Sequence, residues 1–218
     1  MARAGAPRIP LALLELALMA AAVLLDLLIP SLVVVVIGAA FVLLRGERMP
    51  FHGPQPRLRP ARFVLTMLGW ALAWTAVQYG LLLPLQNRLL HGTRDVGAFA
   101  AVQGNLPSLL LLLLASWTLA ALGEEFALRG FFHNRVASLF RDPAKGIVVA
   151  VVSAALLFGA LHAEQGIVGI AAAALDGAFF SFVRVRYRSV WASVLVHGFL
   201  NTVGLVAFYF AGPLYGLW

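Results

Sequence analysis

No cysteine occurs in the 218-residue chain. Disulfides, thiolate metal sites and a cysteine nucleophile are thereby excluded. Charge is nearly as scarce: charged residues make up 11% of the sequence against 62% hydrophobic ones, and mean hydropathy is +0.93. A soluble domain has roughly 45–50% apolar residues, so these values describe an integral membrane protein. The net charge of +7 does not point to nucleic acid, because the basic residues sit between apolar runs and are not interleaved with aromatics on a polar face. No internal repeat is visible, which argues against an inverted-repeat transporter. No stretch is polar enough to fold as a separate soluble unit, so a single membrane domain over 1–218 is expected.

What is abundant is apolar sequence in runs near the ~20 residues that cross a bilayer as a helix. Seven are expected: Ile9–Ile29, Ser31–Leu44, Phe63–Leu85, Leu106–Leu122 with continuation to Phe140, Gly146–His162, Gly166–Val183 and Val190–Ala211. The second is short and leans on Pro30 for a tight turn. The first follows Arg3 and Arg8 as a signal peptide would, but it is long, carries Glu15 and Asp26 and lacks a cleavage site, so it reads as a helix of the bundle. The fold class is therefore all-α, a polytopic helical bundle.

Cytoplasmic loops carry the excess of Lys and Arg. With seven spans and a cytoplasmic N-terminus, the inside segments hold Arg3 and Arg8; Arg45, Arg48, Arg57, Arg59 and Arg62; Arg129, Arg135, Arg141 and Lys145; and Arg184, Arg186 and Arg188. These are 14 of the 16 basic residues, leaving Arg88 and Arg94 outside. The segment Met49–Pro60, with Pro50, Pro54, Pro56 and Pro60, reads as a stiff cytoplasmic connector whose arginines meet anionic lipid headgroups. A multi-pass protein of a bacterial or archaeal cell membrane is expected.

An ionisable side chain within the hydrocarbon costs about 2.5–3.5 kcal/mol on insertion scales, so each calls for a partner or a function. The candidates are Glu15, Asp26, Glu124, Glu125, Arg129, His162, Asp176 and His197. Glu125 and Arg129 stand at i,i+4 with the acid first, the favourable order for an ion pair. Glu124 lies about 100° away around the helix, free to face a pocket. Phe158 and His162 are one turn apart, and His197 and Asn201 share a stripe of the last run. Bundle-fastening salt bridges and interhelical hydrogen bonds would account for each cluster taken alone. If the fourth run turns through Arg141-Asp-Pro-Ala-Lys-Gly146 into the fifth, with Pro143 and Gly146 as breakers, antiparallel pairing brings Glu124 and Glu125 level with His162.

Two carboxylates, two imidazoles, an amide and a guanidinium suit hydrolysis by water. A carboxylate held away from bulk solvent is a competent general base, and His197 and Asn201 as donors could stabilise an oxyanion. Glu124, His162 and His197 are also a zinc-type donor set with an open position for water, although no His-Glu-x-x-His helix occurs. Metal-free activation by glutamate is the expectation, and the zinc alternative stays open.

Glu124-Glu125-x-x-x-Arg129, Phe158-x-x-x-His162 and His197-x-x-x-Asn201, in this order on successive membrane helices, resemble the CPBP family of CAAX proteases and bacteriocin-processing enzymes, also called Abi. No motif position departs from the pattern, and the resemblance covers about 106–211. It implies an intramembrane endopeptidase, of a family commonly labelled metalloprotease, with a peptide or protein substrate, prenylated in the CAAX members. By carry-over Glu124 would activate water, Glu125 and Arg129 would support it, and His162, His197 and Asn201 would complete the site. The competing expectation is a non-enzymatic transporter or bacteriocin-immunity protein with a polar bundle core, for which the unassigned Glu15, Asp26 and Asp176 speak.

Overall fold

The computed structural model describes residues 9–47, 49 and 59–213. Most of the proline-rich connector, with Pro50, Pro54, Pro56 and Arg57, lies outside the described residues, as do Arg3, Arg8 and Arg48. Among the described residues the chain is helical with no strand. The main rods are α1 (Ile9–Leu24), α2 (Pro30–Leu44), α3 (Pro60–Leu89), α4 (Leu106–Ser138), α5 (Pro143–Ala160), α6 (Gly166–Tyr187) and α7 (Val190–Ala211). Five of them, α3 to α7, are long and apolar enough to cross a membrane. Helices α1 and α2 have 16 and 15 residues, short of the ~20 a perpendicular crossing requires. The polytopic helical bundle stands, with five full-length spans beside two shorter apolar helices.

Local sequence explains most boundaries. Helix α1 ends five residues before the expected Ile29: Pro30 opens α2 at its first helical position, and the residue before a proline is disfavoured in helical conformation. Ile29 is accordingly extended, and Asp26 and Leu28 reverse the chain with φ of 49° and 56°. Helix α4 starts where Asn105 Oδ1 accepts from the Ser108 amide at 3.2 Å with Pro107 in the first turn, an N-cap arrangement. Asp142 caps α5 in the same way, accepting from the amides of Ala144 (2.9 Å) and Lys145 (3.3 Å) ahead of Pro143. The turn therefore ends at Pro143, and Gly146 is inside the helix. It acts there by closeness: a Cβ on Gly146 would lie 2.7 Å from the Ala137 carbonyl oxygen of α4. Helix α5 stops at Ala160, so His162 sits in the α5–α6 turn and not on the helix that was expected to carry it.

Apolar side chains are divided between two environments. Val148, Val152 and Leu156 of α5 are exposed at four-residue intervals, a stripe suited to lipid, while Ala150, Ala154 and Phe158 on its other side are buried. Small residues let α5 and α6 approach closely, as is usual where lipid and protein are equally apolar. The main core takes Met19, Val34, Met67, Leu128, Ala154, Phe180 and Val196, one from each helix.

The bundle has two unlike ends. At one, Arg135 bonds Glu15 (2.6 Å) and Glu47 (2.7 Å), Arg45 bonds Glu15 (2.5 Å), and Arg184 bonds Asn134. Glu15, buried at 1% exposure, is thus an anchor for two arginines. At the other end lie the α1–α2 turn, the segment between α3 and α4, and the α5–α6 turn. There Arg94 Nε donates to Gln165 Oε1 at 2.6 Å, and the Asp95 amide donates to the Gln165 carbonyl at 3.0 Å.

Candidate active site

Helix α4 carries the two glutamates in an unusual backbone. Hydrogen bonds of the wider π type run through Ser116–Glu124 and Phe126–Phe132, a distortion frequent at functional sites. The ion pair expected between Glu125 and Arg129 is present despite the altered winding, with Arg129 Nη1 3.0 Å from Glu125 Oε1 and both residues fully buried. Arg129 also donates to the Gly177 carbonyl (Nη2, 2.6 Å) and to Ser181 Oγ (Nε, 3.3 Å) of α6. Its guanidinium lies over the rings of Phe158 (4.6 Å) and Phe180 (5.6 Å). This is the set of contacts a buried cation requires: a counter-ion, satisfied donors and aromatic faces. Gly177 makes room for it, since a Cβ there would come within 3.0 Å of both Arg129 Nη2 and Phe158 Cβ.

His197 of α7 reaches the same glutamate, with Nδ1 3.1 Å from Glu125 Oε1. Its ring stacks on Phe180 at 4.6 Å and meets Phe158 edge-on at 5.6 Å. A carboxylate can only accept, so Nδ1 carries the hydrogen and, in the neutral ring, Nε2 carries the lone pair. The same reasoning applies to His162, whose Nδ1 lies 2.9 Å from the Phe158 carbonyl oxygen. Nδ1–H donates and Nε2 is left as an acceptor. Helix α7 is held in register by close contact at Gly198, where a Cβ would lie 2.4 Å from the Trp117 ring, and by Trp117 Nε1 donating to Thr202 Oγ1 at 3.0 Å.

Glu124 points elsewhere. It borders a cavity of about 400 Å³ whose wall also contains His162, His197 and Asn201. The three sequence clusters therefore meet in one place. Glu124 Oε2 is buried without a hydrogen-bond partner in the protein, and a carboxylate oxygen in a cavity wall can accept from a water or a substrate donor. Glu125 and Arg129 lie outside the lining, behind His197. The division between the glutamates, one clamped and one open, is as the spacing suggests.

The wall also holds polar groups with no place in the sequence motifs, among them Tyr79, Arg94, Gln165 and Asp176. Asp176 stood out as a lone acid in an apolar run, and its partner is the Trp74 indole, which donates to Oδ1 at 2.6 Å. Tyr79, Arg94 and Gln165 carry no sequence signal, because two sit in connecting segments and the third is an ordinary amphipathic residue. Asp26 is exposed in the α1–α2 turn and borders the same cavity. As for a zinc ion, no three His, Asp or Glu side chains among the described residues gather as a ligand group. Glu124, His162 and His197 share the cavity without converging on one point, so the residues as placed do not fit a three-ligand site.

Long apolar helices around a cavity whose mostly apolar wall holds Glu124, Asp176 and two imidazoles define a multi-pass membrane protein with a chemically equipped interior. Residues 106–203 match the family model described as type II CAAX prenyl endopeptidase Rce1-like, so this segment is similar to the CAAX protease family. The match begins with α4 and ends within α7, so it contains all seven motif residues. No curated protein and no solved structure matches the chain.

Proposed function

We propose that the protein is an intramembrane endopeptidase that hydrolyses a peptide bond with a glutamate-activated water. The observation carrying this reading is the unpartnered Glu124 Oε2 in a cavity shared with His162, His197 and Asn201. The family-model match over residues 106–203 supports it as well. Glu124 takes a proton from a water whose second hydrogen is accepted by His162 Nε2. The water oxygen attacks the scissile carbonyl carbon, and the carbonyl oxygen becomes an oxyanion. The Asn201 amide donates to it. His197 donates from Nε2 only as an imidazolium, since its Nδ1–H is committed to Glu125, so Asn201 is the constant donor and His197 a conditional one. Glu124 then passes its proton to the leaving nitrogen, the C–N bond breaks, and the acid product gives its remaining proton to the amine, so that a carboxylate and an ammonium depart. Glu125 and Arg129 are positioning residues that act through His197. No step is routed through a metal.

A cavity of about 400 Å³ is at the lower end of the ~300–1,000 Å³ of small-ligand sites. It suits a few residues of extended peptide and not a folded domain, in keeping with removal of a short C-terminal piece. CAAX-type substrates fall in this class, and prenylation would add an anchor in the surrounding lipid. The test is Glu124→Gln, assayed in detergent or liposomes on a quenched fluorescent C-terminal peptide. Cleavage is expected to fall by about 10²–10⁴, the usual contribution of general acid–base catalysis, while the variant still inserts and purifies. Full activity in this variant would remove Glu124 as the base, and a wild type that cleaves nothing would favour a transporter or immunity protein.

A further inference from the structure

The cavity belongs to one end of the bundle. Its wall takes Asp26 and Ile29 from the α1–α2 turn, Arg94 and Phe99 from the segment before α4, Gln165 from the α5–α6 turn and Phe208 from the end of α7. No lining residue comes from the opposite end, where the α4–α5 and α6–α7 turns lie. On that side the cavity is closed by the buried Arg129, Glu125 and Phe180. The cavity is thus blind, open at one end and floored at the level of Glu124 and His197.

Basic residues are distributed the other way. Arg45, Arg59 and Arg62 flank the α2–α3 connection, Arg135, Arg141 and Lys145 flank the α4–α5 turn, and Arg184, Arg186 and Arg188 end α6, so nine of the twelve described Lys and Arg lie at the closed end. Arg88 and Arg94 are at the open end, and Arg129 is inside the bundle. The Lys and Arg excess marks the cytoplasmic side. We infer that the cavity opens on the non-cytoplasmic face, and that its substrate is a peptide segment presented from that side, such as the end of a translocated or surface-anchored polypeptide. This rests on the peptidase reading for the word substrate and on charge and cavity position for the side.

The absence of cysteine from the sequence makes the side directly measurable. Ala100 and Ala144 are exposed at the open and closed ends respectively, and Gly204 is in the cavity wall, where a Cβ would meet only the Tyr79 hydroxyl at 3.5 Å. Ala100→Cys, Ala144→Cys and Gly204→Cys would be made singly in the full chain and treated with a membrane-impermeant maleimide in intact cells and after permeabilisation. Expected is labelling of Ala100→Cys and Gly204→Cys in intact cells, and of Ala144→Cys only after permeabilisation. The inverse pattern, or labelling of Ala100→Cys and Ala144→Cys alike in intact cells, would overturn the inference. In the same cells, one cleavable peptide tethered to a single-span anchor would be placed on either face, with loss of at least 10-fold more of the non-cytoplasmic form expected. Preferential cleavage of the cytoplasmic form would overturn the substrate side. Cleavage on neither face with the expected labelling would count against the peptidase reading and still support the side of access, because labelling requires no catalysis.

Discussion

Glu124 and Glu125 are chemically identical neighbours that the fold places in opposite circumstances. Glu125 is buried between a guanidinium and an imidazole, whereas Glu124 offers a cavity an oxygen with no protein partner. Amide substitution should separate them. Glu125→Gln leaves the Arg129 charge buried without a counter-ion, a loss of about 3–5 kcal/mol, read as a lowered thermal unfolding midpoint in detergent. Glu124→Gln should leave that midpoint unchanged or raised. His162 provides a second separation. In His162→Asn the side-chain amide can replace Nδ1–H as donor to the Phe158 carbonyl but supplies no Nε2 acceptor. Hydrolysis should fall about 100-fold, toward the lower bound for a lost acid–base group, with the unfolding midpoint kept. At this scale much was legible in advance. The i,i+4 order of Glu125 and Arg129, and the offset of Glu124 from them, are properties of any helix. What spacing could not show is that His197 bonds Glu125 and not the water, because tertiary rotation of α7 decides which carboxylate an imidazole meets.

Elements place these side chains through contacts between helices more than through propensity. The extent of α7 agrees at both ends with its apolar run, while the ends of α1 and α5 shifted where proline or a turn took over. The π-type winding of α4 was not read from the sequence: Gly123 and Gly130 lie within it, and the wound segments dock against α2 and α7. Gly198 provides the clearest test at this scale. Gly198→Val would drive a side chain into the Trp117 ring, and overpacking of this kind costs about 1–3 kcal/mol. Thermal unfolding should register the loss, and hydrolysis should drop further than the stability change explains, because His197 and Asn201 ride on α7. Pairing it with Trp117→Ala should restore part of both.

The whole molecule is organised by the contrast between an apolar exterior and a largely apolar interior that holds one cluster of charged and polar groups around a cavity. The exterior was visible in composition, and the charge asymmetry between the ends was visible in the spacing of the arginines. The cavity was not, since Tyr79, Arg94 and Gln165 are brought to it from elements far apart in sequence. Its closed floor has a further consequence. A hydrolase inside a membrane must admit water to its carboxylate, yet a continuous file of water across the bilayer would short-circuit the ion gradient the cell maintains. The stack of Arg129, Phe158 and Phe180 ends the water column at the site, making the interior a vestibule instead of a pore. Phe180→Ala should open that seal: proteoliposomes carrying it are expected to dissipate an imposed pH gradient several-fold faster than the wild type. A catalytic defect and a leak would then arise from the same ring, tying the enzyme's chemistry to the electrical integrity of its membrane.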